Sequence, residues 1–196
     1  MSETDNAKLD DSIPNYDPDD ASKYDPVVKN FEYLEHPADI QLHSWGHDLK
    51  ESFQSAATSL YNYMCPVDQI FPSDSREILI TPSKSFEDFE EAEVNHSSND
   101  LYTENLNRLL FTWLDECLFL ATCDPFFIAR ELEIVEFDET KFHIRAILYG
   151  EPFDIYKHQQ GTEVKAITYS AMKILQHEDE EMDDRRRCEV FCIVDI

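Results

Sequence analysis

Cys188-Glu189-Val190-Phe191-Cys192-Ile193-Val194-Asp195-Ile196 is rich in β-branched and aromatic residues and holds no glycine or proline. It therefore reads as a β-strand that runs to the last residue given. Chain ends usually fray, whereas this one is expected to be held in a sheet. In strand parity Asp195 shares a face with Glu189, Phe191 and Ile193. A carboxylate among large apolar groups needs a partner, because a buried unpaired charge is costly or takes up a proton. Far upstream, His36-Pro37-Ala38-Asp39-Ile40 sets a second aspartate at the start of a strand in which Ile40, Leu42 and Ser44 alternate with Gln41, His43 and Trp45. If those two strand ends meet, Asp39, Asp195 and the main-chain carboxylate of Ile196 form an oxygen-only pocket for a hard divalent cation, Ca²⁺ foremost, with Mg²⁺ or Mn²⁺ as alternatives. Taken singly, each aspartate has a plainer reading: Asp39 satisfying its own turn and Asp195 solvated at the sheet edge.

Between these two strands the pattern predicts an α+β fold. Gly46 ends the first strand and Asp48 caps a helix whose apolar face is Leu49, Phe53, Ala56, Ala57, Leu60, Tyr61 and Met64, stopped by Pro66. A short strand over 76–81 precedes a polar stretch, 82–100, read as a mobile acidic insertion. Leu106, Leu109, Leu110, Trp113, Leu114, Cys117, Leu118 and Ala121 mark the longest helix, ended by Asp124-Pro125. Strands over 131–137 and 141–149 are joined by an Asp138-Glu139-Thr140 turn, and Gly150-Glu151-Pro152 breaks the run. Gly161-Thr162 opens a predicted third helix with Val164, Ile167, Thr168, Ala171, Ile174 and Leu175 buried, and a polar loop, 178–187, leads to the last strand. The expected architecture is three helices packed on one mixed or antiparallel sheet. Lys165 falls in the first turn of that third helix, beside Glu163, as a cation able to pair with Asp39 or Asp195 or to project toward a partner, although helix-surface lysines are ordinarily solvated.

A chain of 196 residues with 42% hydrophobic content can bury one ordinary core. Residues 1–29, rich in Asp, Ser, Pro and Lys, read as a disordered or loosely docked arm, pinned at most by Tyr16 and Tyr24, ahead of a domain over 30–196. The formal net charge is −26, and the segments 1–30, 82–100 and 178–187 together carry −13, so half the excess belongs to the folded body. An acidic body repels phosphate, which argues against autonomous nucleic-acid binding and for a basic protein partner or a cation, unless the charge serves only solubility. The three glycines, Gly46, Gly150 and Gly161, leave no phosphate-cradling loop, and no GxSxG or HExxH motif is present. His36, His43, His47, His143 and His158 lack zinc spacing and read as structural or exposed, and Cys65, Cys117, Cys123, Cys188 and Cys192 as reduced, buried thiols. With no leader-like or membrane-length apolar run, an intracellular protein is expected, in the cytoplasm and the nucleus.

The segments Tyr33-Leu34-Glu35-His36-Pro37-Ala38-Asp39-Ile40-Gln41-Leu42-His43-Ser44-Trp45-Gly46, Gly161-Thr162-Glu163-Val164-Lys165-Ala166-Ile167-Thr168-Tyr169-Ser170-Ala171-Met172 and Val194-Asp195-Ile196 resemble archease, most of all its animal form. Leu109-Leu110-Phe111-Thr112-Trp113-Leu114-Asp115-Glu116 and Phe126-Phe127-Ile128 are similar to that family too, so the resemblance spans 30–196. It implies a non-enzymatic accessory protein of the RtcB-type RNA ligase and its tRNA-splicing complex, one that promotes guanylylation of the ligase and multiple turnover without joining RNA itself. It also implies strand-helix-strand-strand modules, a metal site at Asp39, Asp195 and Ile196, and a functional lysine at Lys165. Pro37 stands where the family commonly has Thr, and Ser170 where many prokaryotic members have His. Two readings from other classes compete: a metal-dependent phosphohydrolase using the same carboxylates, and a chaperone-like acidic module that holds a basic client.

Overall fold

The computed structural model describes residues 26–37, 39–81, 98–177 and 186–196. Strand β1 (Phe31–His36) folds back on β2 (Asp39–Gly46) as an antiparallel hairpin. The residues ahead of the His36 turn thus form a strand of their own, which the sequence pattern leaves unassigned. Tyr33 secures it to the first helix by donating its hydroxyl to the Ser59 carbonyl at 2.9 Å.

Helix α1 (Leu49–Met64) begins as the sequence predicts. The Asp48 carboxylate accepts the Glu51 N–H at 2.8 Å, and the Glu51 carboxylate reaches back to the His47 N–H at 2.8 Å, two reciprocal bonds that satisfy otherwise orphaned donors. A single 3-10 turn (Val67–Gln69) leads to β3 (Asp74–Ile80), and α2 (Ser98–Thr122) follows. Residues 98–100, expected to close the acidic insertion, open this helix instead: a Ser-Asn-Asp run starts helices as readily as it makes loops. The rest of the insertion, 82–97, lies outside the described residues, as do 1–25 of the N-terminal arm and 178–185 of the last loop. Where the arm's description begins, the Val27 N–H and the Lys29 ammonium both bond the Asp68 carboxylate, at 3.2 and 2.6 Å.

Strands β4 (Phe127–Asp138) and β5 (His143–Pro152) form a hairpin, and β3 pairs with the other edge of β5 to complete a three-stranded antiparallel sheet. Gly150 and Glu151 do not interrupt β5. Glycine is required there because the β4 backbone, bulged between Ala129 and Glu131, crowds it: a Cβ on Gly150 would run into the Ile128 carbonyl oxygen.

The predicted third helix does not form. Its residues are extended, making β6 (Ala166–Ile167) and β7 (Lys173–Gln176) on either side of a turn at Ala171, whose φ is 54°. Both pair antiparallel with β8 (Cys188–Asp195), whose other edge is fully paired with β2. The first sheet therefore runs β1-β2-β8-β6, with β7 beside β6 on β8, so the α+β class and antiparallel pairing hold, but among the described residues there are two sheets and two α-helices rather than three helices on one sheet. The helical spacing of Val164, Ile167 and Ile174 is outweighed by the unpaired edge of β8, whose carbonyls at Asp195 and Ile193 accept the N–H groups of Lys165 and Thr168 at 2.9 and 3.0 Å. Gly161 and Thr162 do serve a helix end, but that of α1: their N–H groups bond the carbonyls of Met64 and Tyr63 at 2.8 and 3.1 Å.

The two helices bridge the sheets, α1 packing on β2 and β8 from one and β4 from the other, with α2 against α1. Phe53, Leu60, Tyr61, Leu109, Leu110, Trp113 and Leu114 are fully buried between them. The Trp113 indole donates to the Phe53 carbonyl at 2.9 Å and the Tyr61 hydroxyl to the Cys117 carbonyl at 3.0 Å, so the large aromatics bury no orphaned polar atom there. Four of the cysteines are buried thiols as expected, whereas Cys123, just past the end of α2, is exposed. No described helix is long and apolar enough to cross a membrane.

Gly150→Ala is expected to lower unfolding free energy by about 1–3 kcal/mol, the range for forced overpacking, read as a fall in the urea midpoint at unchanged slope. Wild-type stability in that variant would show that β4 gives way without cost.

Candidate functional site

The register of the first sheet brings the two distant aspartates together. In the β2–β8 ladder Asp39 stands directly across from Asp195, and on the far edge of β8 Ala166 is the partner of Asp195. Directly opposed residues of an antiparallel pair put their side chains on one face, so the two carboxylates are cross-strand neighbours. A like-charged pair in that position is destabilising unless a cation lies close. Two are present. His36, which faces Asp39 across the β1–β2 hairpin, holds its Nδ1 3.3 Å from the Asp39 Oδ2. Lys165 extends its Nζ to within 2.8 Å of the Ile196 oxygen, while its main-chain N–H bonds Asp195. Lys165 is thus placed by strand pairing next to β8 and not by a helix.

Asp195 itself is exposed and Asp39 half-buried. The face that carries them is more buried further along, but at its end it opens to water. The donors fit a hard cation by chemistry, being carboxylate oxygens with room for water beside them. Among the described residues no three His, Cys, Asp or Glu side chains gather closely enough to hold a metal. An ion here would rest on the two aspartates and the Ile196 carboxylate, with water or a second molecule completing its shell.

Further along the same face lies a network that sequence spacing gave no sign of. His43, read as structural or exposed, is buried, and its Nδ1 lies 2.8 Å from a Glu32 oxygen and its Nε2 2.6 Å from Glu189. The second oxygen of Glu189 lies 2.8 Å from the His177 Nε2. An imidazole flanked by two carboxylates donates to both only when each ring nitrogen carries a proton. The ring also stacks on Phe191, centroids 4.2 Å and planes 8° apart. Burial pushes the Glu189 carboxyl up, but the hydrogen bonds and charge of His43 and His177 outweigh it and hold the group below its ordinary value. The one sequence signal available was parity: Glu189 shares a strand face with Phe191, and His43 alternates with the buried Leu42 and Ser44. Nothing local ties positions 32, 43, 177 and 189 together.

With this geometry established, comparison with known proteins is informative. Residues 31–89 and 84–196 match the model of the Archease protein family (MTH1598/TM1083). "Protein archease" of Ictalurus punctatus is 40% identical over 175 residues, covering 89% of this chain and 90% of that one. "Protein archease-like" of Drosophila melanogaster is 40% identical over 171 residues, 87% of this chain and 92% of that one. "Protein archease" of Pyrobaculum islandicum is 34% identical over 151 residues, 76% and 88% of the two chains. The solution structure of Methanobacterium thermoautotrophicum protein 1598 superposes with a TM-score of 0.57 over 86% of this chain and 100% of that one; at 24% identity this likeness bears on the fold alone.

Glu189→Gln removes the charge that both imidazoles share, and is expected to cost about 1.5–3 kcal/mol in urea unfolding at pH 7, the range for hydrogen bonds to charged groups. Because the folded carboxyl lies below its unfolded value of about 4.3, its contribution is present above that pH and is lost as pH falls through the folded value. The advantage of the wild type over Glu189→Gln should therefore narrow below about pH 4. An advantage undiminished in strong acid would exclude the carboxylate charge as its source.

Proposed function

The chain belongs to the archease family, and from that membership we propose that it is an accessory activator of an RtcB-type tRNA-splicing RNA ligase, promoting guanylylation of the ligase and its repeated turnover while performing no chemistry itself. The observation that carries this reading is the juxtaposition of Asp39, Asp195 and Ile196 with Lys165 at one sheet end. These are the positions onto which the resemblance maps the family's metal ligands and its functional lysine.

The chain's contribution under this reading is positional. Pairing of β2 with β8 presents two carboxylates on a common face, and the exposure of Asp195 leaves that face open to a second protein. A divalent ion bound there would supply positive charge for a partner's phosphates or carboxylates to share. Lys165, now bonded to the Ile196 oxygen, is the internal cation that partly neutralises the site and is free to exchange that bond for another anion. The acidic body favours a basic partner surface and disfavours RNA as a direct ligand, which fits an activator that acts through the ligase.

In multiple-turnover ligation with the purified ligase, Asp39→Ala, Asp195→Ala and a two-residue C-terminal extension should each reduce the stimulated rate at least tenfold, at saturating activator. Full stimulation by all three would eliminate the carboxylate mechanism while leaving the partnership in place. Metal binding has its own readout: Ca²⁺ at about a hundredfold excess over its dissociation constant adds about 2.7 kcal/mol to stability, a rise of several degrees in melting temperature for a chain of this size. The rise should vanish in Asp39→Ala and Asp195→Ala and persist in Lys165→Met. Equal shifts in wild type and both alanine variants would place the ion elsewhere.

A further inference from the structure

At the end of the molecule where α1 and α2 terminate, a cleft of about 330 Å³ opens between Met64, Ala121, Phe126, Ile128, Phe153 and Glu163. Five of these six side chains are apolar. Phe126, which lines it, is 49% exposed. Phe126 is also held in an uncommon backbone state, φ 57°, which bulky side chains avoid. Its N–H donates to the Cys123 carbonyl at 2.6 Å, and its carbonyl accepts the Phe153 N–H at 2.9 Å. The fold therefore spends two hydrogen bonds holding an aromatic ring half in water, an arrangement that core packing does not explain.

The charges around the cleft decide what fits it. Glu163 lines it, Asp124 lies two residues before the lining Phe126, and Asp154 follows the lining Phe153, its carboxylate accepting the Tyr156 N–H at 2.8 Å; all three are exposed, and among the described residues none forms an ion pair. Lys157, the basic group of the same loop, is taken by Glu151. An acidic rim around an apolar slot repels phosphate, so nucleic acid is a poor occupant. Residues 1–30 of this chain, with eight acids against three bases, are repelled in the same way, as is a second copy carrying −26. The complement is a peptide segment that inserts an apolar side chain and lays lysines or arginines along the rim. Glu163 is moreover two residues ahead of Lys165, so a segment docked here is tied directly to the stretch that pairs with Asp195.

We propose that this cleft is the docking site for a basic, apolar-tipped segment of the ligase; the proposal rests on the activator reading above and assigns the surface that reading leaves open. Docking and activation then reside in separate residues, and their variants fail differently.

The experiment titrates the full-length protein into multiple-turnover ligation and into a direct binding measurement with the purified ligase. Two folded variants are compared: Phe126→Asn, which keeps a residue tolerant of positive φ, and Glu163→Lys, which reverses a rim charge. Each is expected to raise the half-saturating concentration at least tenfold while the maximal rate is recovered at high concentration, and Glu163→Lys should also flatten the salt dependence of binding. By contrast, Asp39→Ala is expected to lower the maximum with half-saturation little changed. Wild-type stimulation with unchanged half-saturation in both cleft variants would overturn the docking assignment alone. A wild-type protein that neither binds nor stimulates the ligase would overturn both readings. Conversion of a dimer to a monomer by Phe126→Asn, seen by sedimentation of the protein alone, would hand the cleft to a second copy and likewise end the proposal.

Discussion

Strand β8 is hydrogen-bonded along both edges, and the rest of the molecule is arranged to make that possible. On one side β2 pairs with all of it, from Gly46 against Cys188 to Asp39 against Asp195. On the other, β6 covers its last residues and β7 its first, with the Ala171 turn between them. A central strand with an uncovered edge exposes a row of unsatisfied carbonyl and amide groups. The residues from Val164 to Gln176 therefore form two short strands about a turn, against their own helical spacing. The same pairing buries Val190, Cys192 and Val194 against α1 and leaves Glu189, Phe191, Ile193 and Asp195 on the opposite face.

That opposite face is graded in chemistry along its length. At one end Glu189 is locked between His43 and His177, a largely buried set of polar groups whose members satisfy one another. In the middle Phe191 stacks on the His43 ring. At the other end Asp39 and Asp195 oppose each other where the face opens to water, with the His36 imidazole beside Asp39 and the Lys165 ammonium on the Ile196 oxygen. Buried charges survive in a fold when paired, and exposed ones are free to take other partners. The satisfied end is therefore a fastening, holding β1, β2, β8 and the residue after β7 together, and the unsatisfied end is where a ligand has something to gain.

The proposed centre and the cleft beside α1 and α2 are linked by a short stretch of chain. Gly161 and Thr162 close the last turn of α1, Glu163 lines the cleft, Val164 is buried, and Lys165 bonds both Asp195 and Ile196. Five consecutive residues thus serve a helix end, a surface, the core and a sheet edge in turn. No regular helix would present them this way, since it would spend their amide groups internally.

Much of this was legible in the residues themselves. Asp48 as a cap, the apolar face from Leu49 to Tyr61, the broad face from Leu106 to Ala121 and the turn at Asp138 are local signals, and each led to the element observed, because capping, periodicity and turn chemistry act over a few residues. The alternation around Asp39 and Asp195 likewise gave both strands and the parity of their side chains. What local signals lack is any account of neighbours. Val164 to Leu175 carried a helical spacing, but the free edge of β8 offered backbone partners that the spacing could not register. His43, Glu189 and His177 carried no motif, since the separation of 146 positions from His43 to Glu189 is closed only by the β2–β8 ladder. The sequence alone thus determined which residues favour strand or helix and which groups carry charge; which of those charges meet, and where Lys165 points, was decided by a tertiary hydrogen-bond demand that no single segment contains.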